Sequence, residues 1–189
     1  MCGTEEYRIP FVEHYLKKFV KTDYRILDIG CGMGQYRTST PAFYVGLDIT
    51  DEPYPENRPR IVDIVATGTH VPAPDRCYDL VFSVGALYQM QDPPKVLAES
   101  YRVLRPGGRI LLFDYNRRTQ TRLEKGEGQK RPGWTQWGLK LRLRKAGFRE
   151  CELLLPVCHE VRGFEKVLGL LQQELFGQWV IATGIKEKR

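Results

Sequence analysis

Three glycines at alternate positions, directly after an apolar strand, constrain this chain more than any other feature. In Arg25–Gly34 (RILDIGCGMG), Ile26, Leu27 and Ile29 read as a short buried strand, and Gly30, Gly32 and Gly34 follow at once. Glycine lacks a Cβ, so such a turn can be sharp and a ligand can lie against bare backbone amides. That describes a cofactor cradle at the edge of a sheet. The spacing is GxGxG preceded by an acid, Asp28, whereas the dinucleotide fingerprint needs GxGxxG running into a helix. Cys31, a small residue between two of the glycines, is counted with the loop and assigned no chemistry of its own.

A second acid pairs with the loop. The run Ala42–Leu47 predicts another buried strand, and it ends at Asp48. Asp48 lies 20 positions beyond Asp28, the separation at which a mononucleotide-binding βαβ unit sets a carboxylate against a ribose. An ionised carboxylate can accept hydrogen bonds from both ribose hydroxyls at once. The stretch between Gly34 and this strand is short for a crossover helix. After it, Pro53, Pro55 and Pro59 exclude a helix before the third apolar run, Arg60–Val65. The helices after strands 1 and 2 are therefore expected to be reduced.

At 189 residues the chain suits one α/β domain, residues 1–189, with a single buried core. Its longest apolar runs are only a few residues, so no membrane span is expected, and the first ten residues carry two acids and no apolar signal segment. The expected location is the cytoplasm. Five scattered cysteines form neither CxxC pairs nor a cluster with His at metal spacing, so free thiols and no metal are expected. A net charge of +6 permits an acidic partner, nucleic acid included, without requiring one. The oligomeric state is not readable.

Helical spacing of Phe11, Tyr15, Leu16, Phe19 and Val20 predicts an N-terminal amphipathic helix within residues 1–22. Leu80–Ser83 reads as the fourth strand. Asp92 then caps a helix whose first turn holds Pro93 and Pro94, and this helix stops at RPGG. Ile110–Phe113 reads as the fifth strand. Residues 115–134 lose the apolar pattern and become basic and glycine-rich, as a mobile loop does. Leu139 and Leu143 mark a helix ending at Gly147, and a sixth strand follows near Glu150–Leu155. An inserted segment, 157–176, puts Phe164, Val167, Leu168, Leu171 and Leu175 on one helical face, which is expected to pack into the core. Gln178–Ile185 reads as the last strand.

Two longer stretches carry a resemblance. VPAPDRCYDLVFS (Val71–Ser83) and DPPKVLAESYRVLRPGGRILLFDYN (Asp92–Asn116), together with DIGCGMG, resemble the class I S-adenosylmethionine-dependent methyltransferases, in particular the small type 11-like domains. The resemblance covers roughly Ile26 to Phe148. It implies a doubly wound α/β fold: a seven-stranded, mostly parallel sheet whose last strand is antiparallel, with S-adenosyl-L-methionine across its carboxyl edge. Carried over by position, it implies cofactor contacts from Asp28, Gly30, Cys31, Gly32 and Gly34 at the methionine end and from Asp48 and Ile49 at the ribose. It further implies contacts from Asp63 and Ile64 at the adenine and from Ser83 and Val84 after the fourth strand. Asp63 is taken to follow the third strand. With no helix before that strand, the adenine side is open or covered by Tyr54, and the N-terminal helix serves as a lid through Tyr7 and Tyr15.

Methyl transfer from a sulfonium carbon is an in-line displacement, so alignment and exclusion of water matter most. Should the acceptor need a base, Tyr88, Asp114, Tyr115 and His159 are the candidates, with His70 behind them. Ser83–Ala86 (SVGA) stands where adenine-amino and glutamine-amide methyltransferases carry an N/D-P-P-Y/F motif, which argues against those acceptors. A small-molecule acceptor is expected. An RNA or protein acceptor stays open through Arg117, Arg118, Lys130 and Arg131 with Trp134, as does a catalytically silent module that binds RNA or a partner. A nicotinamide-dependent oxidoreductase lacks its GxGxxG here.

Overall fold

The computed structural model describes residues 8–39, 42–54, 58–117, 133–157 and 163–188. Its strands are β1 (Arg25–Ile29), β2 (Phe43–Asp48), β3 (Ile64–Val65), β4 (Tyr78–Val84), β5 (Leu104–Tyr115), β6 (Arg149–Leu154) and β7 (Trp179–Ile185). They form one sheet in the order β3-β2-β1-β4-β5-β7-β6. The first five strands run parallel, and β7 lies antiparallel between β5 and β6. This is the expected doubly wound α/β architecture. Among the described residues no helix joins β1 to β2 or β2 to β3, so the helices there are indeed reduced.

Alternation along the strands builds two cores, one on each face. Ile26, Leu80, Phe82, Leu111 and Phe113 point to one side, where helix α1 (Pro10–Phe19) brings Val12, Tyr15 and Leu16 against them. Their neighbours Leu27, Ile29, Val81, Ile110 and Leu112 point to the other. There α2 (Pro93–Val103) supplies Val96 and Leu97, and α3 (Gln136–Lys145) supplies Leu139 and Leu143. Burial on both faces is why β1, β4 and β5 read as continuous apolar runs. Both of the latter helices are capped as their sequences suggest: Asp92 accepts from the Lys95 amide, and Thr135 from that of Gly138.

Four expectations are corrected. Strand β3 is only Ile64–Val65, so Asp63 precedes it, and the chain leaves β3 toward Thr67. Strand β5 begins at Leu104 rather than Ile110, because RPGG is a kink inside the strand: Gly107 has φ +80°, and the pairing with β4 slips between Tyr78 and Leu80. Helix α4 (Gly163–Phe176) leaves the described part of its apolar stripe exposed, and the side chains of Phe164 and Leu175 lie outside the described residues. Val167, Leu168 and Leu171 are 54%, 46% and 52% exposed, while Gly169 packs on Leu155 and Leu170 on the α2/α3 core. Finally, Tyr15 is an internal strut, not a lid. It is buried, and its hydroxyl donates to the Leu155 carbonyl at 2.9 Å. Tyr7 lies outside the described residues.

Candidate functional site

Strand order reverses at β1, whose neighbours are β2 and β4, and the carboxyl ends of these strands enclose the crevice where ligands bind in open α/β sheets. The glycine turn sits there, but its amides are not bare. Those of Gly30 and Cys31 donate to the Leu47 carbonyl at 2.7 and 3.1 Å, and that of Gly34 donates to the Cys31 carbonyl at 2.9 Å. The Gly32 amide donates to Asp48 Oδ2 at 2.9 Å. The expectation of free amides is thus corrected: the turn uses them to tie itself to β2. What it offers is the Cα face of Gly32 (φ +52°). A Cβ there meets only the Tyr54 hydroxyl, 2.7 Å away, which is the end of a movable side chain. At Gly30 and Gly34 the same atom runs into Ala86 and Ile61.

Two carboxylates flank the turn. Asp28, in β1, is 2% exposed, and its Oδ2 accepts from the Tyr44 hydroxyl at 2.6 Å. Its other oxygen, Oδ1, is buried with no hydrogen-bond partner. Burial, reinforced by the nearby charge of Asp48 and opposed by the Tyr44 hydrogen bond, pushes the Asp28 carboxyl up to about 7. Asp48, at the end of β2, accepts from the Ile49 amide on Oδ1 at 2.7 Å. Its Oδ2 takes the Gly32 amide and lies 3.3 Å from Arg60 Nη1.

The remaining cofactor-side positions are more dispersed. Asp63 Oδ2 accepts from the Gly46 amide at 2.7 Å and pairs with Arg37 at 2.5 Å, so this carboxylate closes the turn entering β3 instead of standing at the ligand edge. Ile64 is half-buried and packs into the α2/α3 core, whereas Ile49 is exposed. The Ser83 hydroxyl donates to the Ile29 carbonyl at 2.8 Å, clipping β4 to the end of β1, and Val84 beside it is half-buried.

Beyond β4 the structure brings Tyr88, Asp114 and Tyr115 together. Asp114 is 1% exposed. Its Oδ2 accepts from the Tyr88 amide and from Trp134 Nε1, each at 2.9 Å, and its Oδ1 from the Tyr115 amide at 2.8 Å. Burial outweighs these three donors and lifts its carboxyl to about 7. The Tyr88 ring stands edge-on to Tyr115 at 5.4 Å, and Tyr115 lies 4.6 Å from Trp179, its partner across the β5–β7 register. The basic loop is closed at its base by the Arg117 amide on the Trp134 carbonyl and the Trp134 amide on that of Tyr115. His159, Arg118, Lys130 and Arg131 lie outside the described residues. His70 is exposed in the turn after β3, remote in sequence from that cluster, its amide on the Thr67 carbonyl. Among the described residues no group of His, Cys, Asp and Glu is arranged for a metal ion.

Sequence reasoning missed Tyr44, Arg60 and Trp179. Tyr44 had a signal: it lies two residues before Gly46, the register partner of Asp28, and so shares a face with it. The contacts of Arg60 and Trp179 are made through space by segments whose spacing carries no such cue.

Comparison with known proteins bears on the family and the fold. Residues 27–112 match the methyltransferase domain family. The 27-O-demethylrifamycin SV methyltransferase of Amycolatopsis mediterranei is 32% identical over 104 residues, 48% of this chain and 38% of that protein. The demethylmenaquinone methyltransferase of Renibacterium salmoninarum is 30% identical over 103 residues, 50% of this chain and 43% of that protein. The chain spans less than half the length of the curated relatives it matches. A solved structure from Thermotoga maritima, described as an S-adenosylmethionine-dependent methyltransferase and possible histamine N-methyltransferase, has a TM-score of 0.65 at 20% identity. It covers 97% of this chain and 92% of its own.

Proposed function

We propose, from the premise that this chain belongs to the class I S-adenosylmethionine-dependent methyltransferases, that it transfers a methyl group to an O, N, S or C nucleophile of a small molecule. The observation that carries the cofactor assignment is the pair of acids around the glycine turn, with Asp28 Oδ1 buried and unpartnered and the Cα of Gly32 faced only by the end of the Tyr54 side chain. A buried acceptor left without a donor costs about 1–3 kcal/mol. An ammonium such as that of the methionine moiety would remove this cost, so the residues fit the group.

Asp48 would hold the ribose hydroxyls and Asp28 the amino group, with Gly32 admitting the chain between them and Gly30, Cys31 and Gly34 shaping the turn. Ile49 stays beside Asp48 at the ribose, and the backbone amide of Ile64, whose side chain packs into the α2/α3 core, is the neighbour at the adenine end. Thr67 takes over from Asp63 as the residue leaving β3 at the ligand edge. S-adenosylmethionine supplies an activated methyl on a sulfonium, which needs no covalent help from the protein. Ser83 and Val84 border the reacting end, and Asp114 acts as a positioning group: its three hydrogen bonds fix the Tyr88 and Tyr115 backbones and the Trp134 ring. Its near-neutral carboxyl also suits it to take a proton from an acceptor. The small-molecule reading draws on relatives named for a rifamycin precursor and a menaquinone precursor.

Calorimetric titration with S-adenosylmethionine, S-adenosylhomocysteine and NADH tests the cofactor: binding of the first two without the third is expected, and no binding of either refutes the reading. Release of S-adenosylhomocysteine with small phenols, quinols and amines is then compared with release on RNA and protein. Turnover on macromolecules alone would overturn the small-molecule acceptor.

A further inference from the structure

Asp48 has about four acceptor positions on its two oxygens. In this structure the Gly32 and Ile49 amides take one on each oxygen, and the Arg60 guanidinium is ion-paired with Oδ2 at 3.3 Å. Two positions are left, and a ribose diol gripped by both hydroxyls needs both. One of them is on Oδ2, whose charge the guanidinium already pairs with, so Arg60 and the diol compete for that oxygen.

A second observation marks the same place as occupied by the chain itself. The Tyr54 hydroxyl stands 2.7 Å from where a Cβ on Gly32 would lie, so its phenol covers the one glycine face that opens to the crevice. The two side chains form a unit: the Arg60 guanidinium lies over the Tyr54 ring at 3.8 Å, and the Tyr54 amide donates to the Arg58 carbonyl at 2.9 Å, folding the segment back. Arg60 is held incompletely. Its Nε is buried with no hydrogen-bond partner, so the stack on Tyr54 and the ion pair with Asp48 are what hold the guanidinium in place. The Arg60 and Asp48 side chains are 17% and 12% exposed, enough shelter for the pairing to matter energetically.

We propose that Arg60, stacked on Tyr54, is a built-in competitor for the ribose subsite of Asp48 and thereby sets how strongly the protein distinguishes an intact ribose diol. This rests on the cofactor assignment above. A ligand that grips Asp48 with both hydroxyls must displace Arg60, and one that lacks the 2′-hydroxyl binds with Arg60 in place. The competition therefore weakens only the diol-bearing ligand.

The test measures the dissociation constants of S-adenosylhomocysteine and of its 2′-deoxy analogue for the wild type and for Arg60→Met, which keeps the stem over Tyr54 and removes the charge. Thermal melts verify that the variant is folded. Arg60→Met should bind S-adenosylhomocysteine about three- to tenfold more tightly, the scale of a sheltered ion pair with a stacked ring, and leave the 2′-deoxy analogue unchanged. Arg60→Lys, with the charge but not the planar stack, should fall between. Weaker or unchanged binding of S-adenosylhomocysteine, or an equal change for both ligands, overturns the proposal. A wild type that binds neither ligand instead refutes the cofactor assignment, and this proposal with it.

Discussion

Replacing Asp28 with asparagine removes an ionisable carboxyl from the core while keeping an acceptor for the Tyr44 hydroxyl. The native carboxyl is raised from 3.8 to about 7 by burial. At about 1.36 kcal/mol per pK unit, ionising it inside the fold costs roughly 4 kcal/mol relative to the unfolded chain. The sign follows from proton counts. Between the two pKa values the folded state keeps its proton and the unfolded state has released it, so stability falls as pH rises. The cost is absent below pH 3.8, grows through the interval and is complete above about 7. Between pH 5 and pH 8 the wild type should lose about 2.5 kcal/mol through this group, and Asp28→Asn should not. Asp114 contributes in the same direction in both proteins, so the difference between them isolates Asp28. Urea unfolding at the two pH values, followed by tryptophan fluorescence and circular dichroism, gives the four free energies. Identical pH dependence in the two proteins would refute the reasoning, because it would mean that the carboxylate is as well solvated folded as unfolded.

Other outcomes follow from the same geometry. Asp48→Ala should weaken S-adenosylmethionine binding by about 2 to 4 kcal/mol, at roughly 1 to 2 for each charge-assisted hydrogen bond to the ribose, and calorimetry reporting unchanged affinity would contradict the ribose placement. Gly32→Val sets a β-branched residue at φ +52° against the Tyr54 hydroxyl. It should abolish cofactor binding and lower the melting temperature, and normal binding would contradict the role of that face. If Asp28 meets an ammonium on cofactor binding, its carboxyl drops below neutrality and releases a proton. Near pH 6.5 the observed binding enthalpy should then vary with the ionisation enthalpy of the buffer, and an invariant enthalpy would count against that contact.

Legibility in the sequence followed the range of the interactions involved. That Asp28, Gly32 and Asp48 come together is readable because strand, turn and acid follow at short, fixed separations along one βαβ-like unit. Asp63 was misassigned because Arg60–Val65 offers apolar residues at several registers, and only pairing of Ile64 with Leu47 fixes where the strand begins. RPGG looked like a helix terminus. The helix has already ended at Val103, and RPGG lies within the strand that follows, since a glycine at φ +80° can kink a strand without ending it. The stripe on α4 has the periodicity of a core helix, yet periodicity names a face and not what lies against it. Arg60 on Asp48 and Trp179 on Tyr115 join residues whose separation in sequence carries no pattern.

The position of β7 bears on how the chain reaches this fold. It is the last strand in sequence, yet it lies inside the sheet, hydrogen-bonded to β5 on one side and β6 on the other. Just beyond it, the Lys186 ammonium donates to the carbonyls of Tyr101 and Leu104, where α2 passes into β5. During synthesis β1 through β5 can pair as they emerge, but β6 has no neighbour until residues 179–185 arrive, so half of the Tyr115–Trp179 contact is missing until then. Long-range pairing of this kind is slow and leaves a strand edge open meanwhile. A nascent chain halted before Trp179 should therefore be sensitive to proteases across β6 while its β1–β5 half is already protected. The aromatic wall beside Asp114 would be the last part of the crevice to form.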